Sequence, residues 1–387
     1  MNQGKYVFAQ IAEFLPQRVF DRFVRQYDGN KYVKHFSCWN QLLCMIFGQL
    51  TNRDSLRDLI VAISAHANKS YHLGFGISVT RSNLAKANET RDSRIFEAFA
   101  YHLIASAREL RQNNDFKIKG QVYAFDSTTI DLCLNVFWWA KFRKYKGGIK
   151  MNTLFDVATQ IPAFVHITPA AVHDVNAMDL LLYEPEAYYI FDRAYVDFER
   201  LYKITQHSAF FVVRAKANLR FERMYTIKSN KNNGVKSDQI GKLTGYNASK
   251  HYPQKLRRVK YFDKETEKTF VFLSNNFELS AEEIAYLYKN RWQIELFFKW
   301  IKQHLKIKAF WGTSENAVRI QIYTAIITYC LVAIVGSTLI IGRSTYEILQ
   351  VLGISLLDKT PVNELFKIIY YQNVKEPVYN QLSLSLF

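Results

Sequence analysis

The stretch GQVYAFDST, residues 120–128, decides the fold class predicted for this chain. Apolar residues that favour strands run up to Asp126 and polar residues follow it, a pattern typical of a short buried strand. Strands are then expected at 129–136, 148–158, 161–170, 187–195 and 208–216, and helices near 174–184 and 196–206. Consecutive strands followed by alternating helices and strands predict a mixed α/β sheet.

The region before this sheet is predicted to be helical. Apolar residues recur at helical spacing in 7–27 and 39–63. Residues 78–104 look like two helices around a polar turn, with four basic candidates for phosphate contacts: Arg81, Lys86, Arg91 and Arg94. A helix-turn-helix and an ordinary bundle with a solvated basic face fit this stretch about equally well.

The chain is strongly basic, which indicates a polyanionic partner. Its 387 residues include 51 Lys and Arg against 34 Asp and Glu, a net charge of +17. Nucleic acid is the leading partner class, and an anionic membrane surface is the second. Residues 215–260 hold twelve Lys and Arg against two acids, an excess of ten. Because residues 257–276 alternate like a hairpin, 215–279 is predicted to be a basic, β-rich insertion.

The cysteines and apolar segments favour a cytoplasmic protein. The four cysteines are scattered without a C-x-x-C pair, which argues against a zinc knuckle and a disulfide framework. The first residues lack the pattern of a signal peptide. Residues 325–341 are uncharged but fall just short of the ~18 apolar residues that suggest a membrane span. A buried core helix is therefore favoured there over a membrane helix, and no membrane partner is expected.

Residues 280–305 are predicted to form one long helix with a single carboxylate at its centre. The helix opens with Ser-x-x-Glu, the spacing of a capping box. At ~100° per residue, Glu295 lines up with Tyr288 and Lys302, and Arg291 lies beside them. The apolar stripe is centred roughly 90° away, so Glu295 is expected at the edge of the buried face beside three residues that can bind phosphate.

Two aspartates are candidates to share a metal site with Glu295. Asp126 and Asp192 each follow an apolar strand, at a sheet edge where the active sites of α/β folds gather. Three carboxylates supply hard oxygen ligands for Mg²⁺ or Mn²⁺. Two such ions ~4 Å apart would activate a water or hydroxyl and stabilise the leaving oxygen of a phosphodiester. At this point the alternative stays open: surface acids at strand ends and an ordinary helix salt bridge.

The residues of the long helix carry a family resemblance. Tyr288, Arg291, Glu295 and Lys302 match Y-x2-R-x3-E-x6-K, and the chain resembles DDE transposases of bacterial insertion sequences. It is similar to the subfamily whose ribonuclease-H-like catalytic domain carries a β-rich insertion. The stretches AFDST, KGGIKMNTLFD, ITPAAVHDVNAM, FDRAYVDF, FVVRAK and FWGTSENAVRIQIY occur in the order such transposases show. The resemblance covers roughly residues 118–335, and the helical N-terminal part is similar to a domain that precedes it in some members.

The resemblance implies a role for each site residue. Asp126, Asp192 and Glu295 would bind two Mg²⁺ or Mn²⁺ ions, with Asp126 contacting both. Three residues of the motif would position the phosphates of the transposon ends, and Trp292 would either stack on a displaced base or pack beside the core. The predicted DNA-binding residues are Tyr288, Arg291, Trp292, Lys302, Arg193 and Lys299. The implied partners are transposon-end and target DNA, bound by a homodimer.

Five regions are predicted: helical and DNA-binding 1–115, catalytic 116–214, the insertion 215–279, catalytic 280–312 and helical 313–387. Asp131 is expected on the strand neighbouring Asp126, and Cys133 is expected to be buried. His173 and Asp174 are expected to support the site without binding metal. A basic cluster near Trp138 and Trp139 is either a DNA path or a solvated loop. Its members are Lys141, Arg143, Lys144 and Lys146.

The predicted function is that of a transposase that binds the terminal inverted repeats of its element, cuts DNA by metal-dependent hydrolysis and joins the freed 3′ hydroxyl to target DNA. Two alternatives share the fold: a structure-selective metal-dependent nuclease, and a catalytically inactive DNA-binding protein of a decayed element. A membrane-associated protein is a further alternative, and it depends on residues 325–341 alone.

Overall fold

The computed structural model describes residues 4–76, 79–112, 118–143, 146–228, 233–305, 307 and 310–367. Within these residues ten strands form one sheet. The strands are β1 Val122–Leu132, β2 Lys141–Arg143, β3 Lys146–Asp156, β4 Ile161–Pro169, β5 Tyr188–Phe191, β6 Phe210–Arg214, β7 Phe221–Thr226, β8 Val235–Leu243, β9 Leu256–Asp263 and β10 Lys268–Ser274.

Five of these strands have the ribonuclease-H-like arrangement. They lie in the order β4, β3, β1, β5 and β6. β3 is antiparallel to both β1 and β4, whereas β5 and β6 run parallel to β1. All four residues of β5 are buried, as expected of a parallel strand that is covered on both faces. The predicted mixed α/β class with a ribonuclease-H-like sheet is confirmed.

The basic segment 215–279 extends this sheet. β10 pairs with β6, and β9, β8 and β7 follow in antiparallel order. The hairpin predicted from alternation is β9–β10. Arg257 of β9 forms a buried ion pair with Asp238 of β8, with 2.7 Å between Nη2 and Oδ2. This arginine, counted among the basic residues of the segment, therefore holds two strands together.

Helices flank the sheet and build a large core. The α-helices of the described residues are α1 Val7–Ala12, α2 Gln17–Gln26, α3 Cys38–Leu50, α4 Leu56–Ala65, α5 Arg81–Thr90, α6 Arg94–Leu110, α7 Phe198–Gln206, α8 Tyr246–His251, α9 Ala281–Asn290, α10 Trp292–His304, α11 Glu315–Thr338, α12 Thr345–Ser355 and α13 Val362–Leu365. Short 3₁₀ helices lie at Ala67–Lys69, Trp138–Ala140, Asp174–Leu180 and Arg193–Tyr195.

Helix α11 lies at the centre of the helical core, in contact with α3, α5, α6 and α12. In the described part of the chain it alone is long and apolar enough to cross a membrane, and 94% of its most apolar window is buried inside the protein. This is the burial that the core-helix interpretation predicted. Because N-terminal helices and C-terminal helices pack on the same α11, the regions predicted as 1–115 and 313–387 share one core.

Arg91, a predicted phosphate contact, is part of this core. It is buried, and its guanidinium donates hydrogen bonds to the carbonyl oxygens of Ser37, at 2.9 Å, and of Phe36. The helices α5 and α6 on either side of it match the two helices predicted at 78–104. Arg91 ties their connection to the start of α3, and its guanidinium is engaged in contacts within the protein.

The long helix predicted at 280–305 is two helices, α9 and α10, that meet at Arg291. The predicted capping box is present: the Glu283 amide donates to Ser280 Oγ at 3.1 Å, and the Ser280 amide donates to the Glu283 carboxylate. At the junction the Arg291 amide bonds to the Tyr288 carbonyl, three residues back, at 3.0 Å. The turn is therefore tightened, while Arg291 keeps helical backbone angles of φ −55° and ψ −32°.

Two predictions about the residues after Asp126 were wrong. Asp131 lies on β1 itself, opposite Gly148 of β3, and not on a neighbouring strand. Cys133, just beyond β1, is exposed and not buried. β1 is eleven residues long. Its second half contains polar residues and still continues as a strand, because it pairs with β3. The polar residues after Asp126 therefore do not end the strand.

Candidate active site

Asp126 and Asp192 lie side by side where two parallel strands stop pairing. The parallel pairing of β1 with β5 ends at Phe125 opposite Phe191, and the two aspartates are the next residues of each chain segment. Asp192 follows the end of β5, as predicted. Asp126 was predicted at a strand end but lies within β1, at the point where its parallel pairing ends.

The Asp126 carboxylate has three hydrogen-bond donors around it. Its Oδ1 accepts from the Ser127 amide at 2.8 Å and from the Tyr195 hydroxyl at 3.4 Å. Its Oδ2 accepts from Arg291 Nη1 at 3.2 Å. Only 22% of the Asp126 side chain is exposed. The sheet therefore presents a largely buried carboxylate to the helix that carries Glu295.

Arg291 joins Asp126 to Glu295. Its Nη2 donates to Glu295 Oε1 at 2.5 Å while Nη1 donates to Asp126. The Arg291 side chain is 15% exposed and the Glu295 side chain is 51% exposed. One guanidinium therefore links a strand carboxylate to the helix carboxylate, which lies in the first turn of α10.

Tyr288 connects Asp192 to the same network. Its hydroxyl donates to Asp192 Oδ1 at 3.0 Å, and the Arg291 guanidinium lies 5.7 Å from its ring centroid. The ring packs on Phe272 of β10 with centroids 4.6 Å apart. Burial raises the pKa of Tyr288 to about 12, so its hydroxyl stays protonated and donates. Through Arg291 and Tyr288, all three predicted carboxylates belong to one connected set of contacts.

Burial raises the pKa of the Asp126 carboxyl from 3.8 to about 6. The Ser127 amide and the positive charge of Arg291 act in the opposite direction, and the negative charges of Glu295 and Asp192 add to the rise. The ionised form of Asp126 is therefore destabilised in the folded protein, and a further cation would stabilise it. This is a common property of functional carboxylates.

The remaining predicted residues differ in what they contact. The Lys302 ammonium donates to the Thr129 carbonyl of β1 at 2.8 Å, so it fastens α10 to the strand that carries Asp126. Trp292 is 55% exposed and does not pack into the core. Arg193 and Lys299 are also exposed. Three of the four are thus open to a ligand from solvent.

A polar chain behind Asp126 was only partly foreseen. Ser127 Oγ donates to Asp174 Oδ1 at 2.8 Å, and Lys150 Nζ lies 3.0 Å from the same oxygen. Lys150 also donates to the Val172 carbonyl at 2.8 Å. Asp174 contacts the residue that follows Asp126, and its predicted support of the site stays a prediction. Ser127, Lys150 and Tyr195 were missed; a polar residue next to the candidate ligand and a lysine within an apolar strand were the available signals.

The predicted basic cluster near residue 140 is only partly described. Trp138 and Lys141 are exposed, and the Trp139 indole donates to the Thr313 carbonyl at 2.8 Å. Lys144 and the side chains of Arg143 and Lys146 lie outside the described residues. The exposed part of the cluster fits either a solvated loop or a DNA path.

The donor set suits a hard divalent cation, with one condition. Asp126, Asp192 and Glu295 offer only carboxylate oxygens, the ligands that Mg²⁺ and Mn²⁺ prefer. In the described part of the chain, however, no three acidic, histidine or cysteine side chains converge closely enough to hold an ion. Asp126 and Glu295 are instead gathered around the Arg291 guanidinium. A metal would take over the positive charge that Arg291 now supplies.

The ribonuclease-H-like sheet carries one carboxylate within β1 and another directly after β5. Residues 117–331 match the family model described as a transposase DDE domain, so the chain belongs to the DDE transposases. Residues 3–76 match a second model, described as a domain of unknown function, DUF4372.

Relatives of the chain carry transposase names. The "Putative transposase y4zB" of Sinorhizobium fredii is 37% identical over 273 residues, which are 69% of this chain and 74% of the relative. The "Probable transposase for insertion sequence element IS5377" of Geobacillus stearothermophilus is 29% identical over 59% of this chain and 60% of its own length. The alignment with a solved structure, the piggyBac transposase synaptic complex with hairpin DNA, covers 92% of this chain and 81% of that transposase chain. The sequence identity is 11% and the TM-score is 0.47.

Proposed function

We propose that this transposase binds the terminal inverted repeats of an insertion sequence, cuts the DNA by metal-dependent hydrolysis and joins the freed 3′ hydroxyl to target DNA. One observation carries the proposal: Arg291 and Tyr288 link Asp126, Asp192 and Glu295 into a single network. Family membership gives this network its chemical meaning.

Asp126, Asp192 and Glu295 would hold two Mg²⁺ or Mn²⁺ ions. When bound, such ions activate a water or hydroxyl as the nucleophile and stabilise the leaving oxygen of the phosphodiester. The raised pKa of Asp126 fits this role, because a buried carboxylate of that kind is stabilised by an added cation.

The protein's own groups prepare and position the reactants. Arg291 holds Asp126 and Glu295 before the metal binds, and on its release it is free to bind a DNA phosphate with both of its terminal nitrogens. The Tyr288 hydroxyl orients Asp192. Lys302 keeps the Glu295 helix against β1, which fixes the distance between the helix carboxylate and the strand carboxylates.

DNA contacts are assigned to the exposed residues around this network. Trp292, half exposed one residue after Arg291, is suited to stack on a displaced base, an interaction worth ~1–3 kcal/mol. Arg193 and Lys299, which are also exposed, supply further positive charge. The active form would be a homodimer on two transposon ends in the bacterial cytoplasm, with residues 1–115 and 215–279 supplying most phosphate contacts.

The test is a strand-joining assay. Purified protein, Mg²⁺, a duplex carrying the transposon end and a supercoiled plasmid are incubated together. Joined products support the proposal, whereas cleavage without joining identifies a nuclease. Asp192→Asn is expected to abolish both reactions and to leave DNA binding intact. Retained cutting by this variant would overturn the assignment of the metal site.

A further inference from the structure

A cleft among the N-terminal helices carries the features of a second DNA-binding site. It lies between the loop at residues 27–36, which joins α2 to α3, and helix α5, and it has a volume of about 740 Å³. The whole loop belongs to the segment that matches a domain of unknown function. None of the proposed catalytic residues lines the cleft.

The loop is held in a fixed shape. Buried Arg91 donates to the Phe36 and Ser37 carbonyls at one end of it. Asn30 Oδ1 accepts from the Cys38 amide at 2.8 Å. Gly29 lies so close to Ile95 and Cys38 that a side chain there would collide with both. The cleft wall is therefore preorganised, which lowers the entropic cost of binding a ligand.

The loop stores backbone strain at an exposed aromatic residue. Asp28 and Tyr32 have φ of 50° and 60°, in the left-handed region that bulky residues rarely adopt. Tyr32 is also 92% exposed, so its ring adds almost nothing to the core. Strain of this kind at a solvent-facing side chain points to a role in binding.

The charge around Tyr32 suits a sugar-phosphate strand. Lys31, Lys34 and Lys86 line the cleft and are exposed, and Lys31 Nζ lies 5.6 Å from the Tyr32 ring centroid. In the described part of the chain, Lys34 and Lys86 form no ion pair, whereas Asp92 at the cleft is already paired with Arg94 at 2.6 Å. The positive side chains are thus available to phosphates.

We infer that this cleft binds one sugar-phosphate strand of the transposon-end duplex, with the lysines on phosphates and the Tyr32 ring against a sugar or base. The inference rests on the proposed function, since it assigns part of the transposon-end binding to a site away from the carboxylates. A concave, rigid wall with one projecting ring favours a DNA strand over a membrane surface, which binds proteins through buried apolar area as well as through charge.

The experiment measures binding of the full chain, in EDTA, to a labelled duplex taken from the end of the element and to a scrambled duplex. Lys31→Glu/Lys86→Glu is expected to weaken binding at least tenfold and to reduce the slope of log affinity against log salt by about 2, because each phosphate contact contributes ~0.9. The matched control is Lys119→Glu/Lys359→Glu, which reverses two exposed lysines outside the cleft and is expected to change affinity less than threefold.

A second variant separates a binding role from a folding role. Tyr32→Gly relieves the left-handed strain, so its melting temperature should be equal to or above that of the wild type. Its DNA affinity should fall about fivefold with an unchanged salt slope, because no charge is lost. If Tyr32→Gly and the lysine pair both bind like the wild type, or if the control pair loses as much affinity as the cleft pair, the inference is overturned. If the inference is overturned while the wild type still joins DNA strands, the proposed function stands. If the wild type does not join DNA strands, the proposed function is refuted instead.

Discussion

Replacing Asp126 with Asn is expected to stabilise the metal-free protein at pH 8 while it abolishes metal-dependent DNA cutting. Burial raises the pKa of the Asp126 carboxyl from 3.8 to about 6. A carboxyl whose pKa is higher in the folded than in the unfolded state favours folding when it is protonated. Its contribution to stability is therefore complete below pH 3.8 and is lost as the pH rises through 6.

The size of the effect follows from the same pKa values. At ~1.4 kcal/mol per pKa unit, the rise from 3.8 to about 6 costs the native state ~3 kcal/mol at pH 8 and roughly half of that at pH 5. With an unfolding entropy of ~2.1 cal/mol/K per residue, 387 residues give ~0.8 kcal/mol/K, so ~3 kcal/mol raises the melting temperature by about 4 °C.

Thermal unfolding in EDTA at pH 5 and pH 8 measures this difference. Asp131→Asn is the control, because Asp131 lies on the same strand but is exposed, and it should change the melting temperature by less than 1 °C at either pH, as surface substitutions usually do. The reasoning would be refuted if the gain in melting temperature of Asp126→Asn is absent, is equal at both pH values or is matched by Asp131→Asn. Only the buried charge links stability to pH in this way.

Three further substitutions test the contacts around the carboxylates. Tyr288→Phe removes the hydroxyl that donates to Asp192 and keeps the ring, so single-turnover cleavage should slow about tenfold, the effect of one lost hydrogen bond, while the melting temperature falls by no more than about 2 °C. Lys302→Met removes the bond to the Thr129 carbonyl and should slow cleavage while leaving the salt slope of DNA binding unchanged; a smaller slope would show instead that Lys302 binds phosphate. Asp174→Asn should weaken Mn²⁺ binding at least tenfold in calorimetry with DNA affinity unaltered, and equal Mn²⁺ affinity would remove Asp174 from the support of the site.

The sequence was sufficient to locate the two aspartates but not to align the strands β1 and β5 that position them. Each follows an apolar run, and this alone predicted a shared sheet edge. The pairing of Phe125 with Phe191, which sets Asp126 beside Asp192, depends on strand alignment between segments more than sixty residues apart. The continuation of β1 past Asp126 was missed because its second half is stabilised by β3, a contact that leaves no periodic signal in the strand itself.

Helical geometry predicted part of the Arg291 contacts. The four-residue spacing places Arg291 next to Glu295 on any helix, and the ion pair is present. The bond from Arg291 to Asp126 joins residues 165 positions apart, so no local rule gives it. The same limit applies to Lys150 and Asp174, which come from separate elements. Local patterns identified the chemistry, and tertiary packing decided which residue each basic group contacts.

The central claim is that Asp126, Asp192 and Glu295 form one metal site for phosphodiester chemistry. Anomalous scattering from crystals of the protein soaked in Mn²⁺ tests it most directly, because it locates the ions without reliance on activity. The account predicts manganese bound to oxygens of all three carboxylates, with Arg291 moved off Asp126. Manganese bound elsewhere, or an Arg291 still bonded to both Asp126 and Glu295 at saturating Mn²⁺, would contradict it.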